Sequence, residues 1–134
     1  MTARTKKPKK LSLKDAFEAE YARRQAERRE REEAERRQQE QDLEHATELE
    51  ALLAAEPEFL AKHGLAVDRR RYTVSLDHPH YRIQAYFEAG RASVTSADKR
   101  STAPGSAAPR KQETVESVED ALRVMAQFLA DETR

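Results

Sequence analysis

The sequence predicts an α+β protein: a long charged N-terminal helix joined to a small domain in which a three-stranded antiparallel meander packs against a C-terminal helix. Three observations carry that expectation. Residues 23–42 hold two apolar side chains, Ala26 and Ala34, among fourteen charged ones, in strong helix formers with no face to bury. After Gly64 the apolar period changes from 3.6 to 2. Near the C-terminus Val118, Ala121, Leu122, Met125, Phe128 and Leu129 return to one helical stripe.

The elements follow in order. Residues 1–11 form a disordered basic tail, with Pro8 discouraging helix just before it. Ser12 is the expected N-cap, with Asp15 three residues on as in a capping box. Leu13, Ala16, Phe17 and Tyr21 then make a short apolar stripe. Through the block at 23–42 the helix reads as a solvated rod, supported by i,i+4 pairs such as Glu27–Arg31, Glu32–Arg36 and Glu33–Arg37. Each such pair contributes about 0.2–0.5 kcal/mol. Leu43, Ala46, Leu49 and Leu53, widened by Leu52, restore a face that docks on the folded domain. The long helix therefore occupies 12–56, and its residues 12–55 would span about 65 Å at 1.5 Å per residue.

The small domain takes 57–134. Pro57 suits the first position of a short helix carrying Phe59 and Leu60 and ending at Gly64. Tyr72, Val74 and Leu76 alternate with polar residues, and Asp77-His78-Pro79-His80 turns the chain. Tyr81, Ile83, Ala85 and Phe87 form the second strand, and Glu88-Ala89-Gly90-Arg91 is a hairpin turn in which Gly90 supplies positive φ. Ala92 and Val94 give a third, weaker strand. Residues 98–113, rich in Ser, Ala, Pro and basic residues, read as a flexible loop, after which Ser117 caps the last helix.

Composition bounds the function classes. The 134 residues carry 25 basic and 25 acidic side chains, for zero net charge, yet the first fourteen hold six basic residues and no acid. Such a tail attracts phosphate, acidic protein surfaces or anionic lipid. Lys6-Lys7-Pro8-Lys9-Lys10 also resembles a short nuclear import signal. With no cysteine there is no disulfide, thiolate metal site or cysteine nucleophile. No apolar run nears the roughly 18 residues of a membrane span, and no apolar segment follows the basic N-terminus as in a secretory signal. The default location is the cytoplasm.

Enzyme signatures are missing. Three glycines, at 64, 90 and 105, cannot assemble a phosphate-cradling loop, and no Gly-x-Ser-x-Gly elbow occurs. Carboxylates abound, but on a solvated helix they lack the cleft that tunes a catalytic pair. Asp77, His78 and His80 share one turn, short of the four or so oriented ligands a structural metal needs, so no metal, cofactor or small-molecule substrate is expected.

Two readings remain. In the first, the chain is a non-enzymatic adaptor or scaffold. Leu13, Phe17 and Tyr21 bind a protein partner, or a second copy, as an amphipathic turn laid in a groove, and the C-terminal domain is a second docking module. In the second it is an accessory nucleic-acid binder. Lys6, Lys7, Lys9 and Lys10 of the tail and Arg69, Arg70 and Arg71 before Tyr72 would then contact phosphates. The order helix, three strands, helix over residues 43–134 is similar to that of double-stranded RNA-binding domains. That family places lysines at the start of its last helix; here Glu113, Glu116, Glu119 and Asp120 stand in that region and would repel phosphate. The short apolar stripe is too small for a lipid anchor, which argues against a membrane role.

Overall fold

Ser12 caps the first helix: its Oγ accepts a hydrogen bond from Asp15 N at 3.0 Å, and its carbonyl takes Ala16 N at 3.0 Å. From this cap helix α1 runs Leu13–Ala54, 42 residues without a break. The structure, a computed structural model, describes residues 10–100 and 108–133, with side chains from 111 in the second stretch. The basic tail through Lys9 and the centre of the expected loop lie outside the described residues. The chain divides into two units, Met1–Arg36 and Arg37–Arg134.

In the first unit α1 has only local support. Arg23 bridges Glu20 and Glu27, the latter at 2.7 Å, and Arg24 donates to Glu20 at 2.9 Å. Two arginines on one carboxylate hold Glu20 down to about 2 through the hydrogen bonds of Arg23 and then Arg24. Both partners are solvated, so these pairs set side-chain geometry more than stability.

The second unit contains the rest of α1, a short helix α2 (Pro57–Lys62), five strands and helix α3 (Val118–Glu132). The strands are β1 (Ala66–Arg70), β2 (Thr73–Asp77), β3 (Tyr81–Glu88), β4 (Arg91–Asp98) and β5 (Ala108–Val115). They form one antiparallel meander in the order β1-β2-β3-β4-β5. Alternation puts Val74, Leu76, Ile83, Ala85, Phe87, Ala92 and Val94 on one buried face. Ala46, Leu49 and Leu53 of α1 and the stripe of α3 join them in a single core. The other face carries Thr73, Gln84, Tyr86 and Thr95 among other polar side chains.

The turns obey their sequence chemistry. At the end of α2, Gly64 has φ +67°, Leu65 N reaches Leu60 O at 2.9 Å and Gly64 N reaches Ala61 O at 3.2 Å, a Schellman closure. Between β3 and β4 both Ala89 (φ +55°) and Gly90 (φ +82°) are left-handed, as a type I′ hairpin requires. Ser117 caps α3 by accepting Asp120 N at 3.0 Å.

Three expectations need correction. The sheet has five strands rather than three, because β1 and β5 are edge strands. A strand paired on one side can carry charge and proline, and the sequences AVDRR and APRKQETV do. The flexible loop expected over 98–113 is therefore cut short, since Ala108–Val115 pairs with β4, with a register shift at Ser96/Ala97. With five strands the element order also parts from that of double-stranded RNA-binding domains.

The third correction concerns the rod. Asp42, expected to be its solvated last residue, is only 5% exposed. Its carboxylate accepts Ala89 N and Gly90 N, each at 3.0 Å, and the Gln38 amide at 3.2 Å. The left-handed turn aims two backbone N–H groups at the helix, and a buried carboxylate satisfies both. The inner face of α1 in this unit is thus Asp42, Ala46, Leu49 and Leu53, and Leu43 and Leu52 lie outside it.

Candidate interaction surfaces

The first unit presents an apolar stripe made by the opening turns of α1. Leu13, Phe17 and Tyr21 recur every fourth residue and so share one face. They remain 87%, 61% and 53% exposed, and Leu11 just ahead of the cap is exposed as well. Phe17 and Tyr21 stack with ring centroids 5.6 Å apart, which pre-forms a flat aromatic surface. Lys10, Lys14, Asp15, Glu18 and Glu20 lie beside it in sequence, with Lys14 Nζ 4.0 Å from Glu18. Within its unit this stripe is solvent-facing, so covering it would release a continuous patch of apolar area from water.

The second unit holds an apolar groove of about 680 Å³. Leu52 from α1, Phe59 and Leu60 from α2, and Leu122, Met125 and Leu129 from α3 form its walls. Leu76 lies at its base in the buried core. Leu52 and Phe59 are both more than two-fifths exposed, so the groove opens to solvent. The volume is in the range that takes a compact apolar ligand or two or three large side chains.

No protein-family model, curated protein or solved structure matches this chain. The reading of its surfaces therefore rests on their chemistry.

Around the groove that chemistry is set by helix ends. Its lining includes the C-terminal ends of α1 (Leu52, Leu53, Ala55) and α3 (Leu129, Ala130, Thr133), where helix dipoles place partial negative charge. Neither helix has a basic residue in its last turn, but at the end of α3 Asp131 pairs with Lys111, Glu132 lies 3.9 Å from Arg100, and Thr133 donates to the carbonyls of Leu129 and Ala130; Glu56 lines the groove itself. Among the three helices only α2 ends on a basic side chain, Lys62.

The arginine cluster does not stay together. Arg69 is in register with core-facing Val74 and donates to Glu50 of α1 at 2.7 Å. Arg70 pairs with Thr73, which puts it on the opposite face of the sheet, beside Asp68 at 3.3 Å. Arg71 is left-handed (φ +58°) in the β1–β2 turn, its guanidinium 5.3 Å from the Tyr72 ring. Lys10 is exposed ahead of α1, and Lys6, Lys7 and Lys9 lie outside the described residues.

The histidine turn is an ordered polar corner. His78 Nδ1 accepts His80 N at 3.0 Å, and its ring stacks on Tyr81 at 4.3 Å. Burial, helped by the positive charge of His80, Lys99 and Arg100, lowers its pKa below the usual histidine value. Next to it burial acts to raise Asp77, but hydrogen bonds from Lys99 (2.9 Å) and Arg82 (3.2 Å) outweigh that and hold it below the ordinary carboxylate value. Among the described residues no group of three or more His, Asp or Glu is arranged to hold a metal ion. None of the helices there is long and apolar enough to cross a membrane.

Sequence reasoning singled out the stripe and missed the groove. Its signal was present but scattered: Leu52, Phe59 and Leu122 each fit a helical period yet stand at the margin of their helix's buried face. Only the tertiary arrangement of three helices turns those margins into one surface.

Proposed function

We propose that this protein is a non-enzymatic adaptor with two apolar docking surfaces: the stripe Leu13, Phe17, Tyr21 and the groove between the ends of α1, α2 and α3. The exposure of three large side chains on one face of the first helical turns carries the reading. Soluble helices ordinarily bury such a face, and an amphipathic helix segment seats it in a partner's groove at i, i+4 and i+8. The charged stretch that follows, exposed on all sides from Ala26 to Arg37, offers no comparable surface. The arginines at 69–71, divided between two faces of the sheet and a turn, do not favour a nucleic-acid reading over this one.

The test is the double substitution Phe17→Ala with Tyr21→Ala. Both positions are exposed, so the expected outcome is an unchanged cooperative unfolding transition of residues 37–134 together with loss of complex formation. Retrieval of the same partners by the double variant would reject the stripe as a binding surface.

A further inference from the structure

We propose that His78 is an acid-sensitive latch on the β2–β3 turn: the neutral ring holds the turn closed, and protonation of its Nδ1 in mild acid releases it.

The bond at the centre of the turn fixes the protonation state. A backbone N–H can only donate, so His78 Nδ1, which accepts His80 N at 3.0 Å, must present a lone pair. The single proton of the neutral ring therefore sits on Nε2. Protonating Nδ1 abolishes the bond and sets two N–H groups against each other. The ring has little room to turn away. It stacks on buried Tyr81 at 4.3 Å with 8° between the planes. Its opposite edge faces Gly64, where an added Cβ would lie 3.5 Å from His78 Cδ2.

The charged groups around the ring oppose a second proton. His80 lies beside it, ring centroids 5.3 Å apart, and Lys99 and Arg100 follow directly after β4. Lys62 and His63, at the end of α2, line the same pocket as His78. Lys99 donates to the His78 carbonyl at 2.9 Å, which brings a fixed cation into the turn itself. Two acids act the other way. Asp77 of β2 is shared between Lys99 at 2.9 Å and Arg82 at 3.2 Å, and Glu132 of α3 stands 3.9 Å from Arg100. Burial first, then the charges of His80, Lys99 and Arg100, keep the ring neutral below the usual histidine range. The unfolded chain accordingly takes up the proton more readily than the folded one. The contribution of the latch is complete above the ordinary histidine pKa of about 6.5 and is lost as pH falls below it.

Chemical denaturation of the whole chain at a series of pH values from about 7.5 down to about 5 tests this, with His78→Asn as the decisive variant. The asparagine amide oxygen can accept the His80 N–H and does not titrate. The wild type is expected to lose stability across that range that His78→Asn keeps, the difference following a one-proton curve. By nuclear magnetic resonance the His78 ring should titrate below the free-histidine value. The protection factor of the His80 amide should fall several-fold along the same curve in the wild type and stay level in the variant. Both wild-type readings stand if His78→Asn fails to fold. A ring that titrates at or above the free-histidine value overturns the inference, as does a His80 amide whose protection ignores that titration. A folded His78→Asn that loses stability with falling pH just as the wild type does overturns it as well.

Discussion

Residues 22–36 of α1 and the fifteen residues of α3 share one backbone geometry, yet the first stretch buries no side chain and the second buries six. In α3 Val118, Ala121, Val124, Met125, Phe128 and Leu129 enter the core, and the apolar area they remove from water holds the helix. In α1 the same conformation rests on intrinsic propensity and on ion pairs between exposed side chains such as Arg23–Glu27. The contrast separates two jobs. A helix held by packing is part of a domain, whereas a helix held locally leaves its surface free for something else. The stripe at Leu13, Phe17 and Tyr21 stands at the start of the second kind.

The comparison can be broken most sharply from the packed side. Met125 is fully buried. Met125→Ala is expected to destabilise the second unit by about 2–5 kcal/mol, read as a lower denaturation midpoint. A loss below 1 kcal/mol would mean that α3 is not held by its core face.

Asp42 marks where α1 changes from one regime to the other. Asp42→Ala strands the N–H groups of Ala89 and Gly90 and is expected to cost about 2–3 kcal/mol, again by chemical denaturation. Asp42→Asn keeps an acceptor and should cost less. Equal losses would show that charge, not hydrogen bonding, secures the turn.

The smallest effect belongs to the exposed stretch. Glu30→Gly is expected to cost the helix about 1 kcal/mol locally. Far-UV circular dichroism should show reduced helicity with the unfolding midpoint of the second unit unchanged. A lowered midpoint would show that residues near 30 contribute to that unit's stability.

Much of this fold was legible because its boundaries are set by local chemistry. Ser12 and Ser117 cap helices, Gly64 closes α2, and Gly90 turns the β3–β4 hairpin, each through interactions with residues close in sequence. The central strands β2 and β3 announced themselves by alternation. The edge strands did not, since β1 and β5 meet a neighbour on one side only, and their charges and Pro109 obscure the period. Asp42 was illegible for a different reason. Its role depends on two N–H groups nearly fifty residues away, and by composition it continues the charged run. The stripe needed only local spacing to be seen; the groove needed three helices in place.

Hydrogen exchange of the full-length chain, alone and in complex with the proteins it retrieves, followed by mass spectrometry, tests the central claim that the opening turns of α1 are a docking surface. Amides of α3 are expected to exchange slowly in both samples and those of 22–36 rapidly in both. Amides of 13–21 should pass from rapid to slow exchange in the complex, where the stripe is covered. If 13–21 exchanges as fast as 22–36 in the complex as well, the stripe is as solvated as the charged stretch behind it, and the account is contradicted.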